Sequence, residues 1–239
     1  MPEEIPASKK YRAGFGYENG FRELLCGDHY RLQLEQENPE TARDESFETY
    51  NAVIHHASDT LRKHNVDKVL NFGLHYAHVD NTLAKTFPHV EFTGVGRSGL
   101  AKYYNEQFHH QANLNFESSN ILDVLDGRPW KNALFMHVRT LSVLPPAFAN
   151  ILYQHLAQSG CEHIVLAEQV GVSWQTGKPY EFSYEPKPSV AFRNNMYIHN
   201  YPGLLKEAGY RISYSNLLKT KHPDPNFNIL IIVASKAQS

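Results

Sequence analysis

The sequence predicts an α/β protein: a mostly parallel sheet with helices on both faces, an antiparallel last strand, and a helical cover at the N-terminus. Three observations carry this. From Val66 onward, short apolar runs alternate with segments of helical period. The stretch from Val66 to Ser98 reads as strand, glycine turn, helix, strand, the opening unit of a nucleotide-binding α/β domain. Near the C-terminus, Tyr210 to Leu217 and Asn228 to Ala234 are two strand-like runs with only a loop between them, which makes an antiparallel hairpin.

The elements follow in order. Glu18 to Leu34 and Asp44 to His64 carry apolar residues at helical spacing, among them Val53, Ile54, Ala57 and Leu61. These helices define residues 1–65 as a cover on the main α/β domain, residues 66–239. The first strand is Lys68 to Phe72, and a helix from Asp80 to Phe87 is stopped by Pro88. Glu91 to Val95 is the second strand, Gly99 to Gln111 a helix, and Leu114 to Glu117 a third strand. Ala133 to His137, a helix from Ala147 to Ser159, and His163 to Ala167 complete the alternating part. Pro202 to Ala208 is a short helix with Asn200 as its cap. Strands alternating with helices imply parallel pairing through right-handed crossovers.

Composition excludes several classes. Over 239 residues the hydrophobic fraction is 41% and the net charge −2, so neither disorder nor a general affinity for nucleic acid or anionic membrane is expected. The 14 histidines are scattered without metal-ligand spacing, so no metal site is expected. Cys26 and Cys161 form no motif, which fits a reducing compartment. The start, MPEEIPASKK, lacks the features of a secretory leader, and no apolar run is long enough to span a bilayer. The expected location is cytoplasmic.

In such a fold, ligands sit at the carboxyl ends of the strands. Gly73 follows the first strand, where a glycine lets backbone approach a ligand closely. His137 and Arg139 end the fourth strand and Glu168 the fifth. His137 has the chemistry of a general base, Arg139 that of an anion contact, and Glu168 that of a group orienting either. Neighbouring strand ends would bring all three to one cavity. Each also has a structural reading: a histidine closing a strand, an ion-paired arginine, a capping carboxylate. The long stretch from Trp174 to Tyr201 reads as an irregular loop over the site, with Tyr184, Tyr197 and His199 as candidate substrate contacts or as plain packing residues.

VLNFGLHYAHVDNTLAKTFP, EFTGVGRSGLAKYYNEQF, SSNILD, ALFMHVRTLSVLPP and YPGLLKEAGY occur in this order, and that series resembles the class I S-adenosylmethionine-dependent methyltransferases. MHVRTLSVLP, AEQVG, YIHNYPGLLKEAGY and KTKHPDP are more narrowly similar to a bacterial methyltransferase-like group with degenerate cofactor motifs. The resemblance implies a Rossmann-like sheet of seven strands and S-adenosylmethionine as cofactor. It implies a cofactor site at Asn71, Gly73, His75, Gly96, Arg97, Ser98, Asn120 and Ile121. This chain departs from the pattern: Asn71, Gly96 and Asn120 stand where the family carries acids. Arg97, Ser98 or Asn71 could reach the ribose instead, and His75 and Tyr76 either line the cofactor pocket or fill it.

Two functions follow. One is methyl transfer to an oxygen or nitrogen of a small molecule. The other is a methyltransferase-like protein without transfer activity, serving as a partner or binding another ligand. A homodimer, or pairing with an active paralogue, is the expected assembly.

Overall fold

Strand β1 (Lys68–Phe72) occupies the centre of the sheet because four of its five residues are buried, which only an interior strand allows. It pairs in parallel with β2 (Glu91–Gly96) on one side and β4 (Ala133–Val138) on the other. β3 (Leu114–Ser118) joins β2, and β5 (His163–Val170) joins β4, both in parallel. Two short strands, β6 (Val190–Phe192) and β7 (Met196–Ile198), form a separate antiparallel ribbon. The chain then returns as β8 (Tyr210–Lys219) and β9 (Asn228–Lys236). β9 inserts antiparallel between β5 and β8, so the seven-stranded sheet runs β3-β2-β1-β4-β5-β9-β8. This computed structural model describes residues 46–74, 77–97, 99–173, 175–192, 196–219 and 227–237.

The described helices are α1 (Ser46–Lys63), α2 (His78–Thr86), α3 (Gly99–Phe108), α4 (Ile121–Gly127), α5 (Pro146–Gln158) and α6 (Tyr201–Glu207). α1 buries Val53, Ala57 and Leu61 in the same core as the sheet. α5 buries Phe148, Ala149, Leu152, Tyr153 and Leu156, a stripe at helical spacing. The core residues Val69, Phe92, Leu134, Phe135 and Ile164 are fully buried. Truncating a ring such as Phe135 to alanine would cost about 3–5 kcal/mol in lost transfer energy and cavity.

Several details differ from the sequence reading. β5 extends through Val170, because Glu168, Gln169 and Val170 pair with Leu230, Ile229 and Asn228 of β9. Glu168 therefore lies inside a strand, as does His137 in β4. The stretch after β5 is not wholly irregular, since β6 and β7 lie within it. Asn200 does not cap α6: its Oδ1 accepts from the Ser183 amide at 3.0 Å and its Nδ2 donates to the Glu185 carbonyl at 2.9 Å. The expected helix from Glu18 to Leu34 lies outside the described residues. No described helix is long and apolar enough to cross a membrane.

Candidate functional site

The parallel strands bring the carboxyl ends of β1, β2, β4 and β5 to one edge of the sheet. The turn after β1 begins at Gly73, whose φ of +117° is a conformation side chains rarely adopt. Space reinforces the requirement, since a Cβ there would stand 2.2 Å from Thr140 Oγ1. That hydroxyl bonds the carbonyls of Phe72 and Val138, both at 3.0 Å, and so laces the ends of β1 and β4 together. The turn ends at Ala77, also left-handed at φ +46°. A non-glycine residue in that region costs about 1–2 kcal/mol, so the surrounding structure must impose it. His75, Tyr76 and Ser98 lie outside the described residues.

Asn71 and Asp80 face each other across this turn. Asn71 Nδ2 donates to Asp80 Oδ2 at 2.7 Å. Both residues are buried, and Asn71 Oδ1 and Asp80 Oδ1 have no hydrogen-bond partner; nor does Asn81 Oδ1 on the next helix position. Burial pushes the Asp80 carboxyl up to about 6, against the opposing effect of the Asn71 bond.

At the end of β2, Gly96 leaves no room for a side chain. A Cβ there would lie 2.7 Å from Leu74 Cβ and 2.9 Å from the Leu74 backbone nitrogen. Leu74 thus lies over the strand end where the resemblance drawn from the sequence predicts a carboxylate. Arg97, next along, is exposed. Asn120 caps α4, its side-chain oxygen accepting from the Leu122 amide at 3.0 Å. Ile121 is 1% exposed and belongs to the core, so its side chain does not line a ligand crevice.

The ends of β4 and β5 hold a buried polar network. His137 Nδ1 lies 2.6 Å from Glu168 Oε1 and Nε2 lies 2.9 Å from the Tyr153 hydroxyl on α5. Glu168 Oε1 also accepts from the amides of Thr140 and Leu141, both at 2.9 Å, and Oε2 accepts from Ser142 at 3.2 Å. Burial alone would raise this carboxyl, but the hydrogen bond from His137 and those from the backbone amides outweigh it and hold it below the usual range. The ionised carboxylate fixes the His137 proton on Nδ1. Tyr153, whose own pKa is raised well above 10 by burial and by the Glu168 charge, donates to Nε2.

This corrects the expected roles of His137 and Glu168. They do meet, as adjacent strand ends should. His137, however, is fully buried with both ring nitrogens engaged inside the protein, so it cannot take a proton from a bound acceptor in this arrangement. Arg139 does not join them. It turns out through a left-handed backbone (φ +52°) toward Gln169; with the Gln169 amide turned so that its oxygen faces the guanidinium, that oxygen accepts from Nε at 2.7 Å and Nη2 at 3.1 Å. Its guanidinium also lies over the Phe227 ring, 6.0 Å from the centroid.

The three substrate candidates separate in the same way. His199 is buried, with Nε2 2.9 Å from the Leu141 carbonyl and Nδ1 2.9 Å from Ser189 Oγ. Burial lowers its pKa, so the neutral ring donates from Nε2 and accepts at Nδ1. Its place is the seam between the β6–β7 ribbon and the turn after β4, not the open site. Tyr197 stacks on it, with ring centroids 6.0 Å apart, and stays partly exposed. Tyr184 is 56% exposed. Sequence reasoning missed Asp80, Tyr153 and Thr140. Asp80 had a signal: with Leu83, Ala84 and Phe87 it falls on the apolar stripe of α2.

No protein-family model and no curated protein matches this sequence. Solved structures do match. The O-methyltransferase from the trans-AT PKS multienzyme of Brevibacillus brevis, in complex with S-adenosyl-L-homocysteine, has a TM-score of 0.61 at 13% identity, over 87% of this chain and 79% of that one. The N-methyltransferase NodS of Bradyrhizobium japonicum, with the same ligand, gives 0.59 at 12% identity, over 89% and 99%. Magnesium protoporphyrin IX methyltransferase from Synechocystis with bound SAM gives 0.58 at 12% identity, over 99% and 100%. The chain has the class I methyltransferase fold. Within that fold the Gly73 turn, Gly96 and Asn120 stand at the ends of consecutive strands β1, β2 and β3, and Thr140 and Arg139 at the end of β4.

Proposed function

We propose that the protein is an S-adenosylmethionine-dependent methyltransferase acting on an oxygen or nitrogen of a small molecule in the cytoplasm. The observation that carries this reading is the Gly73–Ala77 turn. In a methyltransferase-ordered sheet, both ends of that turn hold left-handed backbone, and two unpartnered buried oxygens lie beneath it. Acceptors without donors suit the ammonium of the ligand's amino-acid end, a cation that brings hydrogens to donate. The ribose end is less well provided: Gly96 offers no side chain, which leaves Arg97, Ser98 and backbone groups to meet it.

When bound, S-adenosylmethionine supplies a methyl carbon open to in-line displacement. The chain's own residues supply position. Thr140 and Gly73 fix the ends of β4 and β1 against each other, and Glu168 fixes the turn that follows β4. Arg139, aimed outward by its backbone, meets a polar group of the acceptor, and Tyr197 forms an aromatic wall. Holding the nucleophile in line with the methyl group provides much of the acceleration. Neither buried imidazole acts as the base.

Calorimetric titration with S-adenosylmethionine and S-adenosylhomocysteine tests the reading. Binding in the micromolar range is expected. Absence of heat at millimolar ligand would overturn it and leave a methyltransferase fold put to another use.

A further inference from the structure

Buried carboxylates in this protein come in two kinds. Glu168 uses both oxygens: four donors converge on it, and its pKa is lowered. That is how a carboxylate kept for structure behaves. Asp80 is equally buried, at 2% exposure, yet one oxygen has no partner, and Asn71 and Asp80's own backbone amide are the groups that favour its charged form. Asn71 supplies its amide hydrogen to Asp80 and keeps its own oxygen unpartnered. His78, the nearest titratable residue on the same helix, is held toward its neutral form by burial, so it offers little charge.

An unpaired buried carboxylate lowers the stability of the empty protein. Its surroundings indicate what would compensate. The pair presents oxygens and no spare hydrogen, which selects a donor, and the carboxylate selects a positive one. It also brackets the turn: Asn71 lies at the end of β1 just before Gly73, and Asp80 in the first turn of α2 just after Ala77. A ligand resting on the turn would place its nearest end against this pair.

Resting on the methyltransferase reading, we propose that Asp80 is a cofactor-binding residue. Its carboxylate, oriented by Asn71, takes the ammonium of the amino-acid portion of S-adenosylmethionine. The charge that β1 lacks at Asn71 is thereby supplied from α2, across one hydrogen bond. The methionyl end of the cofactor then carries more of the recognition than the ribose end, where Leu74 closes over Gly96.

The test compares three probes on the full chain and on Asp80→Asn. S-adenosylmethionine and S-adenosylhomocysteine carry the ammonium; 5′-methylthioadenosine lacks the amino-acid portion. Asp80→Asn should weaken the first two by roughly tenfold or more, as expected for one charge-assisted hydrogen bond. It should leave 5′-methylthioadenosine within about twofold and not lower the melting temperature of the empty protein. The swap Asn71→Asp with Asp80→Asn, which returns the carboxylate to β1, should recover most of the lost affinity. Should 5′-methylthioadenosine bind too weakly to measure, the swap decides.

Unchanged affinity for S-adenosylmethionine overturns the proposal. So does an equal loss for all three probes, or an Asp80→Asn chain that does not fold, since Asp80 would then be structural. If the unaltered protein binds none of them, the methyltransferase reading itself fails, and this assignment with it.

Discussion

Leu74 lies across Gly96 so closely that a Cβ at position 96 would meet the Leu74 backbone nitrogen at 2.9 Å. Backbone cannot swing aside as a side-chain tip can. Gly96→Asp therefore does not rebuild a ribose-binding acid. It should cost about 1–3 kcal/mol through overpacking and give no gain in affinity for S-adenosylmethionine. Urea unfolding and calorimetry of the same variant check both halves; a tenfold tighter complex would mean that Leu74 moves.

Gly73→Ala meets a harder obstacle. The new methyl group would stand 2.2 Å from Thr140 Oγ1, in a backbone region adverse to any side chain. A loss of about 2–4 kcal/mol is expected from strain and from the displaced Thr140 bonds. Thr140→Ala in the same chain should recover part of it, because the contact disappears. The denaturation midpoints of the two single variants and the double variant measure the coupling.

His137→Gln should lower stability by about 2–3 kcal/mol, since Glu168 and the Tyr153 hydroxyl each lose a buried partner. The pH profile of methyl transfer should keep its shape in the folded variant. A lost basic limb would instead place His137 in the proton path.

The two buried acids predict opposite responses to pH. The Asp80 carboxyl is raised from 3.8 to about 6, so the native state binds a proton that the unfolded chain has released. Its contribution favours folding below about pH 4, is lost as pH rises through 6, and is flat above. The size is about 3 kcal/mol. Glu168 is lowered, so its contribution is present above pH 4.5 and is lost as pH falls through its folded value. His199, also lowered, adds a loss as pH falls below 6.5. The stability of Asp80→Asn relative to the unaltered protein should therefore grow between pH 4 and 6. Unfolding at fixed pH steps would show it, and a constant difference would contradict the burial of Asp80.

The sheet was legible because its central strands, β1, β4 and β5, are short runs of mostly apolar residues set off by turns, and because the two strand-like runs at the C-terminus have only a loop between them. β6 and β7 were not, since three residues are too few to carry a period. The meeting of His137 with Glu168 could be read from strand adjacency. Its depth could not, because the partner that seals it is Tyr153, on a helix where it reads as one more core residue. Arg139 parts from the other two because its left-handed backbone turns it toward Gln169, a local conformation that residue identity does not reveal. Asp80 was hidden for the opposite reason: an acid near a helix start is ordinary, and only its place on the buried stripe sets it apart.

The turn after β4 has its polarity reversed with respect to the site. The amides of Thr140, Leu141 and Ser142 all point inward to Glu168. Three successive N–H groups of this kind, facing outward, would form a cradle for an anion. Here an internal anion already fills that cradle, so these three N–H groups are not available to an acceptor. Such a turn gives little help to a reaction that builds negative charge on oxygen. It suits one in which a positive centre is discharged as the new bond forms, and methyl transfer from a sulfonium is a reaction of that kind.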